Sequence, residues 1–147
     1  MISNLIELIF HLEKSYEDNI KKYNNNSIEF LKIHMEQYVG IDWKKYIDLT
    51  KTFNKNIIYQ SENMELVLIS WSKDYETLHH YHPENGCLMR VMEGTLKEEI
   101  KNKELNKTNV YNNNNVCYMD NSKGTHKIIA LSETFSLHLY SPSGFYN

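Results

Sequence analysis

The apolar positions of this chain change their period about a third of the way along. In the first part Ile2, Leu5, Ile6, Ile9, Leu12 and Tyr16 recur at three- and four-residue spacing, the period of one apolar stripe on a helix. That helix is expected to end before Asn24-Asn25-Asn26. Ser27 is placed to cap a second helix carrying Ile28, Leu31, His34 and Met35, with Gly40 as its stop. Asp42 is placed to cap a third, running through Trp43, Tyr46, Ile47 and Thr50. Helices with a single apolar face must lie against something else.

After about Phe53 the pattern becomes short apolar runs separated by turn residues. Asn56–Tyr59, Met64–Trp71, Thr77–His82, Cys87–Met92, Thr95–Lys101, Val116–Met119, Thr125–Ala130 and Thr134–Tyr140 have the length and composition of strands. Glu93-Gly94 reads as a tight hairpin turn, with glycine supplying the positive φ, and Asn112–Asn115 as a solvated loop. Short strands at near-regular spacing predict a sandwich or barrel. No internal repeat and no second domain is visible. The expectation is one domain over residues 1–147, helical in 1–52 and a β-barrel in 53–147.

Composition narrows the function classes. The 147 residues carry a net charge of -3, with 16 basic side chains scattered among 19 acidic ones, so no nucleic-acid footprint is expected. No apolar run approaches the ~18 residues of a membrane span. The start Met1-Ile2-Ser3-Asn4 lacks the basic and apolar regions of a signal peptide. A cytoplasmic monomer is the default expectation, with Cys87 and Cys117 as free thiols, since two cysteines are too few for a disulfide framework.

The candidate chemistry lies in the histidines. Of seven, five fall between His79 and His138, in the strand-rich part. In a strand, residues two apart point to the same face, so His80 and His82 can converge on one metal. His79 is then expected to point the other way. His11 and His34 read as surface or packing residues and Cys117 as core, while Tyr59, Tyr111 and Tyr118 read as structural.

The spacing His80-x-His82-x4-Cys87-x6-Gly94, followed some thirty residues later by Gly124-Thr125-His126, resembles the two motifs of the cupins. There, two histidines of one strand and one of a later strand meet inside a β-barrel. Cys87 stands where most cupins carry a metal-binding glutamate, and in this the chain resembles the cysteine dioxygenase family. The resemblance extends over Leu78–Glu99 and is most specific at Ser136-Leu137-His138-Leu139-Tyr140-Ser141-Pro142. It implies a mainly β cupin fold, a small β-barrel or jelly roll with the N-terminal helices packed outside. It also implies Fe(2+) held by His80, His82 and His126, with a small thiol and O2 as partners. Three ligands on one face of the metal leave open positions for substrate and O2. Three neutral imidazoles leave the ion its full charge, which favours a thiolate.

Further roles follow from the same resemblance. His138 orients the Tyr140 hydroxyl, Ser136 supports His138, and Cys87 can become joined to Tyr140 by a thioether. Alternation along the strand puts Ser136, His138 and Tyr140 on one side and Leu137 and Leu139 on the other. The substrate carboxylate is expected to meet a cation, and the best match to the family's arginine is Lys55. Lysine offers a point charge where arginine offers a planar fork, so the substitution bears on substrate choice. Ile69 and Trp71 are expected as apolar pocket wall. Family members continue with more strands after the Ser-Pro, so a barrel trimmed at one edge is expected. The leading reading is oxidation of L-cysteine to cysteine sulfinate. The alternatives are 3-mercaptopropionate or cysteamine as substrate, an N-terminal cysteine on a peptide, or a non-catalytic cupin that binds a metal or ligand.

Overall fold

The computed structural model describes residues 1–23 and 27–146. The first helix, α1, spans Leu5–Tyr23. Its start is set by Asn4, whose side chain accepts the Glu7 backbone N–H at 2.8 Å, and by Glu7, whose carboxylate accepts the Ser3 N–H at 3.1 Å, a reciprocal cap of the orphan donors. The buried stripe is Leu5, Leu8, Leu12 and Tyr16. Ile6, expected on that stripe, is 82% exposed, and Leu8, two residues on and on the other flank of the stripe, is the one buried. Ile2 precedes the helix and bridges Tyr38 instead. The Asn24–Asn26 run expected to end α1 lies outside the described residues.

The second expected helix is a 3-10 turn, Glu29–Leu31, leading into α2, Lys32–Gln37. The third is only a 3-10 segment, Asp42–Tyr46. The Ser27 cap is weak, its hydroxyl accepting the Glu29 N–H at 3.4 Å, and the Asp42 cap is not made. Ser27 bonds the Tyr118 hydroxyl at 2.8 Å, and Asp42 accepts the Leu5 N–H at 2.9 Å and the Tyr38 hydroxyl at 2.5 Å, serving α1 rather than its own turn. No helix among the described residues is long and apolar enough to cross a membrane.

The strands are β1 (Phe53–Gln60), β2 (Glu65–Trp71), β3 (Cys87–Glu93), β4 (Leu96–Lys101), β5 (Asn106–Tyr111), β6 (Val116–Met119), β7 (Thr125–Ala130) and β8 (Thr134–Tyr140). They form a five-stranded sheet, β1-β2-β8-β3-β6, and a three-stranded sheet, β5-β4-β7. Every described strand pair is antiparallel.

β2 and β8 are buried along their whole length because the larger sheet is covered on both faces. Leu66, Leu68, Leu88, Leu137 and Leu139 pack outward against α1 and α2. Val67, Ile69, Trp71, Met89 and Tyr140 pack inward against Leu96, Ile128 and Ala130 of the smaller sheet. The smaller sheet is covered on one face, and β7 accordingly alternates between buried and half-buried positions. Gly94 has the positive φ expected of the β3–β4 turn, +108°, and a Cβ there would come 2.4 Å from Thr134 Oγ1.

Two expectations are corrected. No strand forms over Thr77–His82. The segment runs beside β7 with isolated bridges at Glu76–Ile129 and His80–His126, and the register slips by one residue between them, which interrupts the ladder. Conversely, β5 was not expected. It is an edge strand, paired only with β4 and largely solvated, so it carries no apolar alternation to reveal it.

Candidate metal centre and active site

Three imidazoles meet where the 77–82 segment crosses β7. The bridge between His80 and His126 is made by backbone bonds in both directions, 3.0 and 3.2 Å, which fixes both side chains over the mouth between the sheets. Asn121 clasps His82 from either side, its side chain accepting the His82 N–H at 2.8 Å and donating to the His82 carbonyl at 3.0 Å. One nitrogen from each of His80, His82 and His126 lies within 4.8 Å of the others. Tyr81, between the pair, is exposed, and so is His79. The alternation expected of a strand therefore survives in a segment that is not one.

The tautomers follow from the partners. The Leu78 carbonyl accepts from His80 Nδ1 at 2.8 Å, so Nε2 of neutral His80 carries a lone pair. His126 Nδ1–H donates to Glu98 Oε2 at 2.7 Å, so its Nε2 also carries a lone pair. These two nitrogens face each other at 2.9 Å. With both rings neutral neither has a proton to share, and a cation between them, a proton or a metal ion, relieves the two opposed lone pairs. His82 is fully buried, and both its ring nitrogens lack any partner, an expensive state unless one of them takes an ion. Burial, with the charges of His126 and His80, lowers the His82 pKa to about 3, which keeps that lone pair free. The donor set fits a metal ion held by nitrogen.

Glu98, on β4, was not anticipated from the sequence. It is 2% exposed and holds His126 as a second-layer carboxylate does in many metal sites. Its other oxygen accepts from the Tyr111 hydroxyl at 2.7 Å and from Asn109 at 3.1 Å. Burial pushes the Glu98 carboxyl up, but the bonds from His126 and Tyr111 outweigh it and hold the group below its ordinary value. The only signal for this network lay in the polar strand β5, which brings Asn109 and Tyr111 opposite β4.

A second line of polar groups runs along β8. Trp71 Nε1–H donates to Ser136 Oγ at 2.8 Å, Ser136 Oγ lies 2.7 Å from His138 Nε2, and His138 Nδ1 lies 3.2 Å from the Tyr140 hydroxyl. An indole only donates. The buried serine that accepts it has His138 Nε2 as the described acceptor for its own hydroxyl hydrogen, and in that tautomer His138 Nδ1–H donates to the Tyr140 oxygen. The phenol proton is left for the cavity. Burial foremost, then Lys55, lowers His138 to about 3, and burial raises the Tyr140 phenol well above its ordinary value. Trp71, expected as pocket wall, also begins this chain.

Cys87 is the register partner of Tyr140, and burial raises its thiol. Both line a cavity of about 60 Å³ together with Ile69, Trp71, His126 and His138. Cys117, expected as core, lines it too. A larger open depression, about 380 Å³, lies behind Glu98 between Ile100, Leu105 and Lys107. It contains none of the converging imidazoles, so the chemistry goes with the smaller cavity.

Lys55 lies on β1 opposite Ile69. Its Nζ rests 4.8 Å from the Tyr140 ring centre and 4.9 Å from that of Tyr146, a favourable placement for a cation. Among the described residues no carboxylate forms an ion pair with it. Burial lowers its pKa, against the opposing pull of Glu65 and Cys87. Arg90 is the chain's single arginine. It is spent on the outer face of β3, where Nη1 donates to the Met35 and Tyr38 carbonyls, each at 2.5 Å. Tyr146, unremarked in the sequence, closes the cavity beside Lys55.

Comparison with known proteins agrees with this geometry. The family described as cysteine dioxygenase type I matches residues 6–145. Cysteine dioxygenase type 1 of Homo sapiens is 25% identical over 156 residues, covering 96% of this chain and 74% of the human protein. That of Danio rerio is 24% identical over 157 residues with the same coverage. Among solved structures, KdgF from Halomonas sp. superposes with a TM-score of 0.56 at 15% identity, over 68% of this chain and 87% of its own. A cupin superfamily protein from Desulfitobacterium hafniense gives 0.58 at 10% identity, over 67% and 85%. At such identities the likeness concerns the fold alone, the cupin jelly roll of two facing sheets.

Proposed function

Because the chain belongs to the cysteine dioxygenase type I family, we propose that it adds both atoms of O2 to the sulfur of a small thiol, with L-cysteine foremost, giving the sulfinic acid. The observation that carries the reading is the facing pair of lone pairs on His80 and His126 beside the unpartnered His82. These three residues would hold Fe(2+). When bound, the ion supplies coordination positions for thiolate and O2 and the electrons that activate O2.

The chain's own residues do the rest. Lys55, with no ion-paired carboxylate among the described residues, binds the substrate carboxylate as a point charge beside the Tyr140 and Tyr146 rings. Ile69, Trp71 and Met89 exclude water, which strengthens that charge contact. His138, aligned by Ser136 and Trp71, holds the Tyr140 oxygen as acceptor, so the Tyr140 proton is directed at the reacting sulfur and oxygen atoms. A thiol RSH and O2 become RSO2H with no other reductant, so no further electron donor is required.

The test is anaerobic loading with Fe(II), followed by oxygen uptake and product analysis with L-cysteine, 3-mercaptopropionate, cysteamine and a peptide bearing an N-terminal cysteine. Stoichiometric uptake with a carboxylated small thiol is expected, abolished in His126→Ala. Uptake with none of them makes the protein a metal-binding cupin without this activity. Uptake that survives His126→Ala overturns the ligand set.

A further inference from the structure

Among the residues that line the cavity, one is held by no strand pairing and by a single described hydrogen bond. Ile69, Trp71, Cys87, Met89, His126 and Tyr140 sit on paired strands. Thr77 lies outside a strand but bonds Ile128 through its backbone N–H, 2.9 Å, and its hydroxyl, 3.0 Å. Tyr146 alone lines the cavity from the segment that follows β8. Its described hydrogen bond is a single one, its hydroxyl donating to the Tyr81 carbonyl at 2.8 Å. Its ring packs against Tyr140 at 4.8 Å and His80 at 5.9 Å between centres. It thus spans the opening between the histidines and Lys55.

The segment that delivers this ring is anchored. The Ser141 hydroxyl donates to the Asn63 carbonyl at 2.6 Å, and its N–H to the Gly86 carbonyl at 3.2 Å. Gly144 N–H donates to Glu65 at 3.0 Å, a carboxylate wholly buried at the start of β2. Glu65 Oε2 has no partner, so this buried group serves the Gly144 contact alone. The chain beyond Gly144 therefore hangs from a fixed point and carries Tyr146 over the opening.

The cavity is small, about 60 Å³, and Tyr146 stands at its opening. Of the described residues around it, Tyr146 is the one that can turn aside without breaking a strand ladder. Resting on the reading of the site as a thiol dioxygenase, the geometry points to Tyr146 as a specificity-determining lid. It swings out to admit a short thiol, closes against the end that Lys55 holds, and excludes thiols whose carboxylate end is extended, such as cysteinyl peptides.

Two measurements test this. In the metal-free protein, alkylation of Cys87 by N-ethylmaleimide, read by peptide mass, is expected to quicken by about tenfold in Tyr146→Ala. It is expected to stay near the wild-type rate in Tyr146→Phe, which keeps the ring. An unchanged rate in Tyr146→Ala overturns the lid. If Tyr146→Ala melts early, Tyr146→Leu shortens the side chain while keeping apolar contact and is read the same way.

In the Fe(II)-loaded protein, the ratio of kcat/KM for L-cysteine to that for the dipeptide Cys-Gly is expected to fall about tenfold in Tyr146→Ala and to hold in Tyr146→Phe. A ratio unmoved by Tyr146→Ala overturns the specificity role. Absence of oxygen uptake with every thiol tested would overturn the dioxygenase reading and with it the specificity role. The labelling result would still decide whether Tyr146 closes the cavity.

Discussion

Cys87 and Tyr140 face each other as register partners across β3 and β8, both turned toward the space between the sheets. Directly opposed side chains have Cβ atoms about 4.5–5.5 Å apart, so sulfur and ring carbon can join without moving the backbone. During turnover with Fe(II), thiol and O2, a thioether is expected. The new bond is Sγ to ring carbon, the S–H and C–H bonds break, and two protons and two electrons pass to O2, giving H2O2. Intact mass should drop by two hydrogens in a fraction of the protein. Cys87→Ala and Tyr140→Phe should abolish the drop, whereas Cys117→Ala should keep it. Loss of the drop in Cys117→Ala would assign the crosslink to the wrong thiol.

Glu98 orients His126 from behind, so its effect should appear in metal affinity before it appears in fold. Glu98→Gln keeps the shape of the side chain and removes the charge. Affinity for Fe(II), measured by competition with a chelator, is expected to fall by about 10- to 100-fold. Tyr111→Phe, one bond further out, should cost less. Equal affinity in Glu98→Gln and wild type would mean that the Leu78 and Asn121 contacts position the three imidazoles unaided.

A Lys55 that holds the substrate carboxylate should matter for thiols that carry one and not for those that lack one. Lys55→Met should raise KM for L-cysteine and 3-mercaptopropionate by about tenfold or more while leaving cysteamine nearly unchanged. Lys55→Arg restores the charge with a fork in place of a point and should recover most of the loss. A uniform rise for all three thiols would mean that Lys55 supports the Tyr140 and Tyr146 rings rather than the substrate.

What the sequence discloses about this site depends on how local the signal is. The spacing of His80, His82 and Cys87 is legible because neighbours in sequence share a face, and Ser136, His138 and Tyr140 are legible for the same reason. The structure keeps that facing even where the strand itself fails, because Tyr81 still turns outward. Glu98 is not legible, since its meaning comes from Asn109 and Tyr111 on an edge strand whose polar pattern looks like loop. Tyr146 is not legible either, because its contacts with Lys55 and His80 join segments far apart in the chain. The misplaced Ile6 is an error of a different kind. The period of α1 was right, but both Ile6 and Leu8 suit it, and only packing against Leu66 and Leu88 of the sheet chooses between them.

His138 also makes a prediction about acid stability. Burial holds its folded pKa at about 3, whereas an unfolded imidazole titrates near 6.5. Between these values the unfolded chain binds a proton that the folded chain refuses, so stability rises with pH there. The contribution is fully present above about pH 6.5 and is lost as pH falls toward 3. For one such group the slope approaches about 1.4 kcal/mol per pH unit. Urea unfolding of the metal-free protein between pH 7.5 and 5.5 should therefore show a steeper loss in wild type than in His138→Asn, which has no proton to take up. Carboxylates and the remaining histidines act alike in both chains and cancel in the difference. Parallel pH profiles for the two would mean that His138 is protonated in the folded state, and that the Tyr140 oxygen is held by an imidazolium.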